Sequence, residues 1–494
     1  MRLAILAVIA TGCAPHTGAA APTPATQVAT RWVPDRPSYV LASQALDRAQ
    51  GSLLEAIDLL GTLGGIESRE VAQRVADVIH VDALHPDAVA AIGIDPRGGW
   101  AMFSESVNPT LVVRLAAPDL LAAFLDRERE HGLVTQSVIV DDPGSPRGKA
   151  EVWSASLGGG RHLSWAVAGE WMWIHLALPG VPEQGPGWFA ASRAPHTGTW
   201  TADWAWAQRA AGAAAGVVGW FDLRGAIAGA VARLPDGVAC AQLVAPIGRA
   251  AVSIDGDERH VAARFTLDVG STERLRSWLL PPPGGWAATA AGAAIAAQWN
   301  LDVPAVRAWL APCLATAGVE LGAITETGVR AARGLLLEFN PEGPTAAGAL
   351  ALDLTRAAYF ERQLDQIPLR RALERPRTFA GTRGVSLAIP FAATVDYVLD
   401  DHRALAAVGD GVLARVLAPG AAAAPPIFAL DVAPPAMAPR AWVGLLGTVV
   451  SQLAGGSGLQ VERIVDRMMR WRSAHLAATA ERGELVITAT GERR

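Results

Sequence analysis

The sequence predicts an α+β fold of two related halves, each with an antiparallel or mixed sheet covered by helices. Three observations lead to it. Several segments show a strand that ends at a polar residue, often Asp, with a helix directly after it. Other segments alternate apolar and polar residues about tight turns, which is typical of antiparallel hairpins. A break rich in Pro and Gly, Pro281–Gly285, lies near the middle of the 494-residue chain.

The strand–helix unit recurs at irregular intervals, which excludes a solenoid of fixed period. Its physical basis is a polar side chain that accepts the free amides of the first helical turn. The segments begin at Ser38, Thr110, Val217, Ala263, Ala296, Gly348 and Phe428.

Antiparallel hairpins are predicted at three places. One spans His162–Leu178, a second spans Arg249–Asp268 with its turn at Asp255–Asp257, and the third lies about the C-terminal turn Glu481–Gly483. Helices that alternate with such hairpins predict sheets covered by helices on one face.

Length and composition predict two domains with large cores, at residues 31–280 and 286–494. A chain of 494 residues is too long for one average core. With 51% hydrophobic and 18% charged residues, general disorder is excluded. The net charge is −5, and the sequence has no concentrated run of basic residues. Nucleic acid is therefore not an expected partner, because phosphate binding needs a concentrated basic face.

The N-terminus reads as a signal peptide over residues 1–12. Arg2 is followed by the apolar run Leu3–Ala10 and then by small residues before Cys13, and this stretch is too short for a permanent span. The pattern resembles the lipobox of bacterial lipoproteins, although Ala10 stands where that family prefers Leu. The resemblance implies that the Cys13 thiol takes a diacylglycerol and that further acylation, such as palmitate, follows cleavage. The alternative is an ordinary signal peptide with a chance cysteine.

Residues 13–30 hold small residues, Thr and Pro, and read as a flexible tether. Ala14, rather than Asp, follows the cysteine. By resemblance to sorted lipoproteins of Gram-negative bacteria, this implies export and an outer-membrane anchor facing the periplasm, with the membrane as a partner through the lipid.

The mature chain resembles a group of exported proteins from myxobacteria-like genomes. The resemblance rests on the lipobox, on Trp32-Val33-Pro34 and on the element Ala91–Pro96. It implies no activity.

Tryptophan is abundant, with 17 residues against 3 Tyr. They cluster at Trp165, Trp171 and Trp173 and at Trp200, Trp204 and Trp206. The second cluster lies in a loop-to-helix passage rich in Thr and Gly, which indicates that it is the more exposed of the two. Exposed, these rings could line a groove for glycan, lipid or peptide; buried, they belong to a core.

The sequence contains no HExxH, no paired CxxC, no GxSxG and no phosphate-binding loop. We therefore predict no metal, no cofactor and no enzymatic activity, and the catalytic residues are unknown. The set His80, Asp82, His85 and Asp87 has its two histidines five apart, off the spacing of a zinc-binding helix, and we expect a helix end and loop there. Asp400-Asp401-His402 could bind a cation or hold a base, but we expect it to end a strand and to cap a helix near Arg403.

Cys240 and Cys313 remain after lipidation, and outside the cytoplasm two such thiols tend to pair. The alternative is two buried free thiols. Together these features favour a membrane-anchored periplasmic lipoprotein with a non-enzymatic binding or scaffolding role for an unknown protein or envelope partner. A carrier or sensor of an apolar ligand and a hydrolase of envelope polymer are the alternatives.

Overall fold

The structure, a computed structural model, divides into two compact units. Unit 1 holds residues up to 229 and 247–268, and unit 2 holds 230–246 and 269–494. The structure describes residues 29–64, 68–105, 107–145, 148–180, 187–194, 198, 200–212, 215–231, 246–280, 293–302, 305–306, 308, 311, 329–339, 346–354, 356–389, 393–418, 426–444 and 458–494.

Unit 1 is built on an antiparallel sheet in the order β4-β5-β6-β7-β3-β2-β1-β8-β9-β10. Its strands are β1 Tyr39–Ser43, β2 Trp100–Ser104, β3 Thr110–Arg114, β4 Thr135–Asp141, β5 Lys149–Gly158, β6 Arg161–Ala168, β7 Trp171–Ala177, β8 Val217–Asp222, β9 Arg249–Gly256 and β10 His260–Asp268.

Seven helices accompany this sheet in the chain. They are α1 Leu46–Gly64, α2 Ser68–Ile79, α3 Pro86–Ala91, α4 Pro118–Glu130, α5 Gly187–Arg193, α6 Thr201–Ala211 and α7 Leu223–Val231.

Helices pack on both faces of the unit 1 sheet. On β2, Trp100 and Ser104 point to one face and Ala101 and Phe103 to the other, and all four are buried. Helix α6 packs into the core on the Phe103 face. Helix α1 lies on the opposite face, since a Cβ at Gly256 of β9 would be 3.3 Å from the Cβ of Glu55. The prediction of one covered face is therefore wrong for unit 1, because apolar residues fill both alternations of its central strands.

Alternation along neighbouring strands explains the large core of unit 1. Val112 lies opposite both Ala101 and Trp173, and Trp173 lies opposite Ala166, so these side chains share one face. Indole rings from β7, α5 and α6 complete this core. Rings of this size bury large apolar areas, which makes this face the main source of stability in unit 1.

A buried ion pair closes one side of the tryptophan core. Arg193 donates two hydrogen bonds to the Asp142 carboxylate, at 2.9 and 3.2 Å, and these side chains are 8% and 1% exposed. The same guanidinium lies over the rings of Trp32 and Trp173. Asp142 also accepts the backbone N–H of Gly144 at 2.9 Å, so its charge is well satisfied.

Unit 2 contains an antiparallel sheet in the order β14-β15-β16-β17-β13-β12-β11-β18-β19-β20. Its strands are β11 Ile295–Trp299, β12 Val329–Phe339, β13 Ala346–Leu354, β14 Glu374–Phe379, β15 Thr382–Ala388, β16 Thr394–Leu399, β17 Arg403–Val408, β18 Phe428–Val432, β19 Trp471–Glu481 and β20 Glu484–Arg493.

The helices of unit 2 are short in the part of the chain that the structure describes. They are α8 Glu273–Ser277, α9 Ala357–Leu364, α10 Arg370–Leu373, α11 Val412–Leu417, the 3₁₀ turn Pro434–Ala436 and α12 Gly458–Met468. Helix α11 packs over Leu336 and Leu405. Val461 and Val465 of α12 pack beside Ile295 and Val432 in a second core.

The strand orders of the two units coincide when the strands of each unit are counted from its own first strand. In both, the first three strands lie at the centre of the sheet, the fourth lies at one edge and the tenth at the other end of the unit's order. Helices follow the third and seventh strands in both units.

The predicted α+β class is confirmed, with antiparallel sheet as the dominant component. The strand–helix segments predicted from Ser38, Thr110, Val217, Ala263 and Gly348 and all three hairpins occur where the sequence places them. In the segments from Ala296 and Phe428 the strand is present, and the region after it is described only in part. Asp222 accepts the N–H of Arg224 and Asp302 that of Ala305, which is the predicted capping role. The predicted domain boundary at Pro281–Gly285 lies outside the described residues.

The element Ala91–Pro96 is a structural turn between α3 and β2. Gly93 has φ of +86°, and a Cβ there would be 2.1 Å from the carbonyl oxygen of Ala117. The Gly93 carbonyl accepts the N–H groups of Ala116 and Ala117. Only glycine adopts this positive φ without strain and also leaves room for the Ala117 carbonyl. This motif therefore holds the chain against the start of α4.

No helix in the described ranges is long and apolar enough to cross a membrane.

Candidate functional site

Trp200, Trp204 and Trp206 do not line a groove. They are 6%, 5% and 7% exposed and belong to the core of unit 1. The groove proposed for them is therefore a wrong interpretation, because a loop-to-helix passage rich in Thr and Gly folds here so that α6 turns its indoles inward. The Arg249 guanidinium lies over the Trp206 ring, 4.4 Å from its centroid, and makes a cation–π contact with it.

The three cysteines fall outside the described residues. This applies to Cys13, the predicted lipid attachment site, and to Cys240 and Cys313, the predicted disulfide. All three assignments stay predictions.

The two histidines at residues 80–87 hydrogen-bond to separate carboxylates and do not form one cluster. His80 Nδ1 lies 2.7 Å from Glu128, and His85 Nδ1 lies 2.6 Å from Asp82. Among the residues that the structure describes, no group of three His, Cys, Asp or Glu side chains is placed to hold a metal ion.

Asp400 and His402 form a hairpin turn between β16 and β17. Asp400 accepts the backbone N–H of His402 and a hydrogen bond from Arg403, and Arg403 begins a strand. The predicted helix near Arg403 is wrong, because the turn reverses the chain directly into β17.

A small polar cleft lies at one end of the tryptophan core of unit 1. The residues that line it are Pro34, Phe103, Ser104, Glu105, Asn108, Thr110, His175 and Trp188. Thr110 and His175 lie opposite each other on β3 and β7, which places the Thr110 hydroxyl 2.8 Å from His175 Nδ1. The imidazole stacks on Trp188 with 4.9 Å between ring centroids.

Burial keeps His175 neutral over most of the pH range. Desolvation lowers the pKa of His175 to about 4, because the charged imidazolium loses its hydration in this apolar surrounding. Its Nε2 has no hydrogen-bond partner among the residues that the structure describes. Asn108 Nδ2 also has no hydrogen-bond partner among the described residues. The Asn108 side-chain oxygen accepts the N–H of Leu178, which fixes the orientation of the amide.

The size of the cleft decides what it can hold. Its cavity volume is about 20 Å³, which is room for about one water molecule. Two buried polar atoms that lack protein partners suit such a water. Small-molecule pockets are of the order of 300 Å³ or more, so this cleft is not a carrier's binding cavity.

Strand β4 presents a different kind of surface at the edge of the unit 1 sheet. It pairs with β5 on one side, and no other strand among the described residues pairs with it. Four consecutive side chains, Gln136–Ile139, are exposed on both faces, with Val138 at 42% and Ile139 at 65%. Natural edge strands usually carry Lys, Pro or a bulge against unwanted pairing, and β4 carries none of these.

Comparison with known proteins identifies no family. Neither a family model nor a curated protein matches the sequence. Solved structures of TP0453 in crystal forms I, III and IV align with 49–52% of this chain and 79–87% of theirs. The identity is 9–10% and the TM-scores are 0.26–0.28, which carry no argument about function.

Sequence reasoning missed both the cleft and the β4 edge. Thr110 and His175 are 65 positions apart, and only the pairing of β3 with β7 brings them together. The strand itself had a signal, since Thr135–Asp141 is rich in β-branched residues. Its place at the edge depends on the order of ten strands, which local patterns do not determine.

Proposed function

We propose that this chain is a lipid-anchored scaffold protein that associates with a second copy of itself through β4. The observation that carries the proposal is the exposed edge of that strand, where apolar side chains are exposed and no described strand pairs with the free backbone groups. An unprotected edge is a template for strand addition, which uses main-chain hydrogen bonds for affinity.

The sequence of β4 suits pairing with its own copy. If two β4 strands run antiparallel about Val138, Ser137 meets Ile139 and Gln136 meets Val140. Thr135 then meets Asp141, so no like charges face each other. Such a pairing is isologous and closes on a two-fold axis, which limits assembly to a dimer.

The predicted lipid at Cys13 would support this association. Two chains tethered to one membrane have a high effective concentration, so a weak edge contact becomes significant. The flexible tether predicted over residues 13–30 would leave the units free to find each other. Its last two residues are a correction to that prediction, because Ala29 and Thr30 are buried in unit 1, and the rest of the segment lies outside the described residues.

The coincident strand orders support a second part of the proposal, that the units are related halves produced by duplication. Two unrelated sheets of this size would rarely share strand order, direction and helix placement. Repetition suits a scaffold protein, because each unit has its own edge strands and sheet faces through which it can bind a partner.

The alternatives have less support. A carrier needs a lined cavity, and the His175 cleft holds about one water molecule. A hydrolase needs an accessible nucleophile or acid pair, whereas Thr110 and His175 are buried.

Sedimentation velocity of the full chain carrying Cys13→Ala tests the association without the contribution of lipid. We expect a reversible monomer–dimer equilibrium at micromolar concentration. The double variant Val138→Lys/Ile139→Lys should be monomeric, because two charges on the edge oppose pairing. The control Val107→Lys/Leu120→Lys makes the same change in net charge at two exposed apolar residues outside any strand and should still dimerise.

A wild-type chain that stays monomeric at every concentration would refute the scaffold proposal. Equal loss of the dimer in the control would refute the role of β4. Unchanged circular dichroism must accompany each variant.

A further inference from the structure

Unit 2 carries an uncompensated basic surface at its own edge strand. This region, the arginine edge, consists of Leu369, Arg371 and the three arginines of the β14–β15 hairpin, Arg375, Arg377 and Arg383. Arg375 and Arg377 lie on one face of the edge strand, and Arg383, opposite Thr378, lies on the other, so the charges flank the edge from both sides. All five side chains are exposed. Within the described residues no hydrogen bond or ion pair engages the three hairpin arginines, and Arg371 reaches Asp365 only at 3.7 Å.

The nearby carboxylates are already used. Residues 365–389 contain five arginines and two acidic residues in a chain whose net charge is −5. Both acids, Asp365 and Glu374, pair with Arg370, and Glu374 also accepts the hydroxyl of Tyr397. Asp396, two strands further in, is buried and accepts the hydroxyl of Ser386. The remaining arginines therefore present their charge to the surroundings.

Pro376 closes this edge to strand addition. It sits in the middle of β14, opposite Val385. Because proline has no N–H, it is tolerated in an edge strand only where its nitrogen faces away from the ladder. The free side of β14 thus lacks a donor that an added strand would need, in contrast to β4.

An apolar side chain is held out beside these charges. Leu369 has φ of +60° and ψ of 14° and is 75% exposed. A left-handed conformation is unfavourable for leucine and persists only when the surroundings impose it. The Arg370 pairs impose it here, because they fix the short helix α10, which packs on β15 directly before β14.

We propose that the arginine edge docks on an anionic phospholipid surface. Guanidinium groups bind phosphate with two parallel hydrogen bonds and are weakly hydrated, which suits a headgroup layer. A projecting leucine among arginines supplies the apolar contact that interfacial binding adds to charge attraction. An acidic protein strand would need a ladder that Pro376 interrupts. The inference goes beyond the scaffold proposal and does not depend on the lipid anchor.

Vesicle co-sedimentation of the full chain carrying Cys13→Ala tests it. The probes are vesicles of phosphatidylcholine mixed with the anionic lipid phosphatidylglycerol, and vesicles of phosphatidylcholine alone. We expect binding to the anionic vesicles that weakens steeply with salt. Arg375→Gln/Arg377→Gln/Arg383→Gln should weaken it roughly 100-fold, and Leu369→Gly should weaken it further.

A matched triple variant, Arg36→Gln/Arg97→Gln/Arg259→Gln, makes the same change in net charge at exposed arginines of unit 1. This variant should bind the anionic vesicles as strongly as the parent does. All variants carry the same N-terminal segment, so its contribution to vesicle binding is the same in each. Equal weakening by both triples, no weakening by the hairpin triple, or equal binding to neutral vesicles would overturn the proposal. Equal affinity for soluble polyglutamate would do the same and would assign the edge to an acidic protein.

Discussion

Single buried polar residues determine how the tryptophan core of unit 1 is closed. Arg193 and Asp142 are the clearest case, because their charges are removed from water but meet with two hydrogen bonds and two indole faces. A charge left alone at such a place has no solvent to replace its partner. The neighbouring residue, Asp141, is exposed and pairs with Lys149 at the surface.

We predict that Asp142→Ala lowers the free energy of unfolding by about 3–5 kcal/mol, the usual cost of leaving a buried charge without its partner. Asp141→Ala should leave stability almost unchanged, because exposed pairs contribute little. Urea unfolding followed by tryptophan fluorescence measures both. Similar losses at the two positions would contradict the role given to the buried pair.

The second residue-scale prediction concerns His175 and pH. The pKa of His175 is about 4 in the folded chain and close to 6.5 in the unfolded chain. The unfolded state therefore binds the proton more readily between these values, so stability is full above pH 6.5 and falls as pH drops towards 4. The loss is about 3 kcal/mol.

A His175→Gln chain should lack this fall, so the stability of the wild type relative to the variant should decrease as pH is lowered from 7.5 to 4 in urea unfolding. An NMR titration of His175 with a midpoint near 6.5 would refute the effect. His475 supplies a control of opposite sign, because its hydrogen bond to Asp431 raises its pKa. That contribution is present below pH 6.5 and lost as pH rises through the folded pKa.

At the scale of elements, local sequence patterns predicted where strands occur but not which strands pair with each other in the sheet. The hairpins about Glu481–Gly483 and Asp255–Asp257 could be read from alternation and turn residues, because partner and turn are adjacent in sequence. The pairing of β3 with β7 and the edge position of β4 could not, since other strands intervene. The same limit hid the arginine edge, whose residues are unremarkable until β14 is known to lie at an edge.

The turn at Gly93 offers an element-scale prediction. Gly93→Ala should cost more than the 1–3 kcal/mol of a left-handed residue, because the new methyl group would collide with the Ala117 carbonyl. Gly132→Ala is the matched control, since Gly132 also has a positive φ, of +102°, but nothing lies within 4 Å of its Cβ position. Thermal unfolding compares the two, and equal losses would show that the close approach to α4 is unimportant.

At the scale of the whole molecule, two sheets of matching strand order treat their equivalent edges in opposite ways. The fourth strand of unit 1 is open and apolar, whereas the fourth strand of unit 2 carries arginines and a proline. We infer that duplication was followed by specialisation, with one edge for a second copy and one for an anionic surface.

Anchoring gives a further prediction for the whole chain. Wild-type protein should incorporate radiolabelled palmitate and remain with membranes, and Cys13→Ala should do neither, because the thiol is the proposed attachment point. Equal labelling of both proteins would contradict the anchor.

The pairing of β4 with β4 is the central claim, and cysteine crosslinking tests it most directly. In a full chain with Cys13, Cys240 and Cys313 changed to alanine, Val138→Cys would place two thiols opposite each other across the dimer axis, within bridging distance. Mild oxidation should then give a covalent dimer, while Val107→Cys, which is at least as exposed but lies outside the strand, should not. A covalent dimer through Val138→Cys alone is the predicted result; no dimer, or equal dimer at both positions, would contradict it.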